Sequence, residues 1–181
     1  MNQNVTKKPD IIIVDDHLIF RQGLKAIINY ENVGSIIGEA SNGEELLILL
    51  ANLKPDLVLM DIDMPLMNGL EATQKALVIM PDLKIVGFTV FSENEYYEKM
   101  LKIGAKGFIL KSSGFYELEN AIKAVMNDEI YFTGKNKNEK KSKTYKNRSL
   151  INTEIGNPIS VEKKEMHFFP WVVKGKSCVN T

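Results

Sequence analysis

The sequence predicts a doubly wound α/β domain over residues 1–133, a parallel sheet with helices on both faces. Three observations predict it. Short apolar runs, among them Ile11–Val14, Leu57–Met60 and Phe108–Leu110, are bounded by turn residues, as expected of strands buried on both faces. They alternate with segments that carry helix caps and stops. Three of them end in charge: Asp15-Asp16 after the first, Asp61 after the second, Lys111 after the third. Strands of a parallel sheet present all their carboxyl ends along one edge, and ligands bind in the crevice outside it.

Taken in order, strands are expected at 10–14, 34–39, 57–60, 84–89 and 107–110, and helices at 17–30, 43–53, 69–80, 93–102 and 115–127. Ser41-Asn42-Gly43-Glu44 places an N-cap and an early acid before Leu46-Leu47. Pro55 stops that helix and Pro81 the next, because proline cannot continue the hydrogen-bond ladder. Gly104 is placed as a left-handed cap after Leu101-Lys102-Ile103. Right-handed crossovers between five such units put helices on both faces of the sheet.

Composition narrows the function classes. The chain has 181 residues, 44% hydrophobic and 25% charged, enough for one globular domain and a smaller piece. Met1–Asp10 is polar and lacks the apolar core of a signal peptide, and no apolar run is long enough to span a bilayer. The single cysteine, Cys178, cannot close an internal disulfide, so the cytoplasm is the expected compartment, with no membrane partner. The net charge of zero conceals a division. Residues 1–134 hold 12 Lys and Arg against 19 Asp and Glu, a net −7, and residues 135–181 hold 11 against 4, a net +7. Such asymmetry suggests two modules with different partners.

Carboxylates crowded at one sheet edge repel one another and call for a cation. Mg²⁺ suits such a place, since it takes one or two carboxylates and completes its octahedron with waters and phosphoryl oxygens. An aspartate there is also a competent nucleophile towards phosphorus, forming an acyl phosphate. The metal and Lys111 would offset charge on the transferring group. Thr89, at the end of Ile85-Val86-Gly87-Phe88, is placed to hydrogen-bond a phosphoryl oxygen. A lone Asp after a strand is ordinarily a turn residue or a cap, but that explanation does not account for four charged positions falling in register.

These residues resemble the receiver domain of two-component response regulators over residues 10–133. Asp15-Asp16, Asp61 within Leu59-Met60-Asp61-Ile62-Asp63-Met64-Pro65, Thr89, and Lys111 within Gly107-Phe108-Ile109-Leu110-Lys111 stand in the family's order. Asp15-Asp16-His17, Glu39–Glu44 and Met67-Asn68-Gly69-Leu70-Glu71 resemble the NarL/FixJ class. The resemblance implies a flavodoxin-like sheet of five parallel strands in order 2-1-3-4-5. It implies that Asp61 accepts phosphate from a sensor histidine kinase. It further implies that Asp16 and Asp61 bind Mg²⁺ by carboxylate, with the Asp63 carbonyl as a third ligand and Asp15 assisting. Thr89 and Phe108 match the family's switch pair, in which the hydroxyl moves to the phosphate and the aromatic ring turns inward. A phosphorylation-dependent homodimer is a further expected partner. His17 reads as a loop residue, and Phe108 as a half-buried strand aromatic. Two departures stand out: Ser112 follows Lys111 where many members have proline, and Val90 stands where a smaller residue is frequent, narrowing access to Asp61.

Beyond Gly134 the alternation stops. Residues 134–158, with Lys135, Lys137, Lys140, Lys141, Lys143, Lys146 and Arg148, read as a basic, solvated linker. Residues 159–181 carry Val161, Phe168, Phe169, Val172 and Val173 at helical spacing, then Gly175-Lys176-Ser177. They resemble the opening of a LuxR-type helix-turn-helix, a short helical remnant in which the recognition helix is missing. Pro170 falls inside that helix, at a cost of about 3 kcal/mol. DNA is therefore an expected partner only with a complete effector domain.

The leading reading is a phosphorylation-controlled switch for transcription rather than an enzyme. The rival is a haloacid-dehalogenase-like phosphatase or phosphotransferase, with Asp61 as nucleophile and Asp63 as general acid. It is disfavoured because in that family the aspartate pair follows the first strand, and because Asp15-Asp16 would go unexplained.

Overall fold

The structure, a computed structural model, describes residues 7–90, 92 and 94–132, and the backbone of 143–146. Its elements are β1 (Asp10–Val14), α1 (Leu18–Tyr30), β2 (Ser35–Ala40), α2 (Gly43–Leu50), β3 (Leu57–Met60), α3 (Gly69–Ile79), β4 (Lys84–Thr89), α4 (Asn94–Ile103), β5 (Gly107–Leu110), α5 (Phe115–Met126), β6 (Glu129–Phe132) and β7 (Lys143–Lys146).

The strands form one sheet in the order β2-β1-β3-β4-β5-β6-β7. The first six are parallel and β7 is antiparallel to β6. The expected order 2-1-3-4-5 is present, but the expected number of five strands is corrected: β6 extends the parallel sheet beyond β5. The physical reason lies after α5, where Asp128, with φ 60°, turns the chain back so that Tyr131 N–H donates to Lys106 O at 2.9 Å. β7 lies within the stretch read as a linker. The rest of 134–158, and all of the 159–181 remnant, fall outside the described residues.

Alternation along the strands divides the core. Ile12, Val14, Val58, Met60 and Ile85 pack with Leu46, Ala72, Ala76 and Met100, beneath α2, α3 and α4. Ile11, Ile13, Leu57, Leu59 and Val86 pack with Leu24, Ile28, Leu118 and Val125, beneath α1 and α5. Full burial of each such side chain is worth about 1.5–3 kcal/mol, so β1, β3 and β4 anchor the domain.

Local chemistry sets the helix ends that frame the carboxyl edge. Asn42 caps α2 by accepting from Glu45 N–H at 3.0 Å, and Glu45 returns the bond to Ser41 N–H at 2.7 Å. The Ser41 bonds hold the Glu45 carboxyl below its ordinary pKa. α2 ends at Leu50, short of the expected residue 53, although Leu53 N–H still reaches Leu49 O at 2.8 Å. Asn68 caps α3 through Glu71 N–H at 3.0 Å. Gly104 follows α4 at φ 109°, as its placement as a cap predicts. Among the described residues no helix is long and apolar enough to cross a membrane.

Candidate functional site

The strand register explains how distant residues meet. Val14 pairs with Met60, Met60 with Gly87, and Thr89 with Leu110. The residues that follow these strands, Asp15-Asp16, Asp61 and Lys111, therefore emerge side by side with Thr89 at the carboxyl edge. Asp61 N–H donates to Val14 O at 2.8 Å, continuing the ladder into the site.

Lys111 is the centre of the cluster. Its Nζ lies 2.5 Å from Asp15 Oδ2 and 2.6 Å from Asp61 Oδ2, with its side chain 8% exposed. Asp15 and Asp61 are themselves buried. The ammonium also sits 4.6 Å from the centroid of the Phe20 ring, whose face attracts a cation. The second oxygen of each carboxylate is held by backbone: Asp61 Oδ1 accepts from Ile62 N–H at 2.7 Å, and Asp15 Oδ1 from His17 N–H at 2.9 Å. Arg21, on the first turns of α1, donates to the Asp15 carbonyl. Two buried carboxylates thus share one ammonium, and charge-assisted bonds of this kind are the strong ones.

Asp16 stands at the mouth of the site, 32% exposed, with His17 Nδ1 at 2.8 Å from its Oδ1 and 3.3 Å from Asp15 Oδ1. The imidazole makes no cap bond to α1, although His17 occupies its N-cap. Ligand atoms of Asp15, Asp16, His17 and Asp61 all lie within 4.8 Å of one another. These acids fit Mg²⁺ by the chemistry of the donor set: hard carboxylate oxygens, formally three negative charges against one Lys111 ammonium. Asp63 is placed differently. Its side chain is exposed on the loop after β3, and its carboxylate is not part of the cluster.

Thr89 and Phe108, the expected switch pair, stand on β4 and β5. Thr89 is fully buried at the end of β4. Phe108 is only 3% exposed, more buried than the half-buried strand aromatic expected from the sequence. A Cβ on Gly87 would approach Phe108 Cδ2 to 3.0 Å and Met100 Cε to 3.1 Å, so the ring already lies inward over that glycine. Val90 projects into solvent at 67% exposure. Lys111–Ser113 forms a short 3-10 turn leading to α5.

Sequence reasoning missed Phe20, Arg21 and the His17 ring. All three belong to the entry of α1, and their roles depend on how that helix is rotated over β1. Its period of apolar residues was the only available signal, and Phe20 could be placed by it on the sheet-facing side.

Comparison with known proteins agrees with this geometry. The family model for the response regulator receiver domain matches residues 11–123. The transcriptional regulatory protein DegU of Brevibacillus brevis is 36% identical over 132 residues, covering 72% of this chain and 56% of that protein. The oxygen regulatory protein NreC of Staphylococcus aureus (strain bovine RF122 / ET3-1) is 34% identical over 167 residues, covering 91% and 77%. Among solved structures, a LuxR-family two-component response regulator from Aurantimonas sp. SI85-9A1 superposes with a TM-score of 0.65 at 31% identity, covering 67% of this chain and 87% of that one. The chain spans little more than half of the DegU protein. None of these matches favours the phosphatase reading, and Asp63, its general acid, stands outside the carboxylate cluster. This chain belongs to the family of response regulator receiver domains.

Proposed function

We propose that Asp61 is the phosphoacceptor of a signalling switch, loaded by a sensor histidine kinase and read out to control transcription. The observation that carries this reading is the shared Lys111 ammonium, which joins the buried Asp61 and Asp15 carboxylates beside the accessible Asp16. In the transfer, an Asp61 oxygen forms the bond to phosphorus as the donor's P–N bond breaks, and the departing imidazole takes up a proton. Lys111 would exchange a carboxylate oxygen for a phosphoryl oxygen, and the hydroxyl of Thr89, at the end of β4, would bond another. Asp15, Asp16 and Asp61 would hold Mg²⁺, with the Asp63 carbonyl as a further ligand, after the His17 ring releases Asp16. When bound, the ion supplies positive charge against the charge that builds on the transferring group.

A phosphoryl group adds roughly −1.5 to −2 charge, and a ligand shifts a conformational equilibrium only through contacts that differ between states. The described arrangement, with Phe108 inward, is the one that loading would stabilise by drawing Thr89 to the phosphate. Thr89→Ala should keep the label and weaken the response; Lys111→Ala should uncouple the two. DNA binding belongs to a complete effector domain, and a homodimer of loaded receivers is a further proposed partner.

The test begins with the metal. Asp16→Ala is expected to abolish Mg²⁺ binding in a calorimetric titration and to suppress labelling by acetyl phosphate. Unchanged Mg²⁺ affinity would remove Asp16 from the site.

A further inference from the structure

We propose that the β6–β7 hairpin is an output arm, docked on β5 more tightly when Asp61 is loaded, through the contact chain Phe108–Tyr97–Phe132. The proposal rests on the reading of Asp61, Thr89 and Phe108 given above.

β6 lies beyond the segment matched by the receiver family model, which ends at residue 123. It joins β5 through two residue pairs, Gly107 with Tyr131 and Phe108 with Phe132, whereas four pairs join it to β7. β6 is therefore paired along more of its backbone with β7 than with β5. With two backbone pairs to β5, the docking of β6 rests on its buried side chains, Tyr131 and Phe132.

The pairing places Phe132 directly beside Phe108, and both rings enter the core beneath α4. Tyr97 of α4 bridges them. Its ring centroid lies 4.8 Å from Phe132 at 74° and 6.1 Å from Phe108 at 79°. These edge-to-face geometries let the positive ring edge meet the negative ring face. α4 has one buried residue, Met100, against five in α5. It is the helix least committed to the sheet and the one best able to follow its aromatic neighbours. On the opposite face Tyr131 is tied to α5 by its hydroxyl, which donates to Glu117 Oε1 at 2.7 Å. That contact gives the hairpin an anchor independent of Phe108.

With Phe108 inward over Gly87, Tyr97 meets both rings and supports β6. If Phe108 turned outward, Tyr97 would lose one partner and Phe132 would lose the ring that backs it. Loading Asp61 favours the inward ring, and so favours the docked hairpin. Phe132 is also where the chain passes from β6 to Thr133 and beyond, so its docking sets the point from which the following residues start.

Hydrogen exchange of the full chain, read by mass spectrometry, tests this with Mg²⁺ and beryllium fluoride as the phosphoryl mimic. The mimic should slow exchange at the Tyr131 amide, which bonds Lys106 O, several-fold in the wild type. It should do the same in Tyr97→Phe, which keeps the ring, but not in Tyr97→Ala. Protection of the loop after β3 reports in each case that the mimic is bound. Bound mimic without slowing at Tyr131, or equal slowing in Tyr97→Ala, overturns the proposal. In the unloaded chain Gly87→Ala, which crowds the inward seat of Phe108, should speed exchange at Tyr131, and unchanged exchange there also overturns it. Absence of protection near Asp61 would count instead against the phosphoacceptor reading, and the Gly87→Ala result would then decide this proposal alone.

Discussion

Lys111→Ala is expected to lower stability by about 3–5 kcal/mol in Mg²⁺-free solution, the range for removing one partner of a buried ion pair. The ammonium is shared by Asp15 and Asp61 at 2.5 and 2.6 Å, so its loss leaves two buried carboxylates facing each other. The backbone bonds from Ile62 and His17 hold one oxygen of each and soften the penalty without neutralising any charge. A divalent cation does neutralise it. Urea unfolding with and without saturating Mg²⁺ should show a deficit that shrinks markedly when the ion is present, with the denaturant slope unchanged. A loss below about 1 kcal/mol, the range of an exposed ion pair, would show that the pair is solvated and not the buried cluster described.

Gly69→Ala is the second large effect, and here two principles predict opposite signs. Helix propensity favours Ala over Gly by about 1 kcal/mol. Gly69, however, opens α3 directly under the site. An added Cβ would overlap the Asp61 carbonyl oxygen and lie 2.9 Å from both that carbonyl carbon and Ile62 Cα. Backbone cannot swing aside as a flexible side chain can, so the clash wins. The expected net loss is about 1–3 kcal/mol or more, the usual cost of overpacking, with weaker Mg²⁺ binding because Asp61 itself is displaced. Gly23→Ala is the control. It lies within α1 with nothing within 4 Å of the added methyl, and should stabilise by about 0.5–1 kcal/mol. Thermal unfolding of the two variants should therefore move in opposite directions.

The parts of this structure legible in the sequence are those governed by burial along a strand. Ile11–Val14 and Leu57–Met60 are apolar throughout because both faces are covered, and the charged residue after each must lie at the carboxyl edge. That logic places Asp15, Asp16, Asp61 and Lys111 without reference to tertiary contacts. β6 escaped because no helical pattern directly follows Glu129-Ile130-Tyr131-Phe132 in the sequence, so it does not complete a βα unit. The turn pair Asn127-Asp128 before three consecutive strand formers was the available signal. Phe108 read as half-buried because its cover, Tyr97 and Phe132, comes from α4 and from that unrecognised strand. Phe20 beneath Lys111 and Arg21 on the Asp15 carbonyl depend on the rotation of α1 over β1, for which the apolar period of α1 gives a signal at Phe20 but none at Arg21.

The most direct measurement is the location of the acyl phosphate. After incubation with acetyl phosphate and Mg²⁺, the acid-labile label should map by mass spectrometry to Asp61 alone in the wild type. It should be absent from Asp61→Asn, which keeps the shape of the side chain but not its nucleophilic carboxylate. Label on Asp15, Asp16 or His17, or label that persists in Asp61→Asn, would contradict the account.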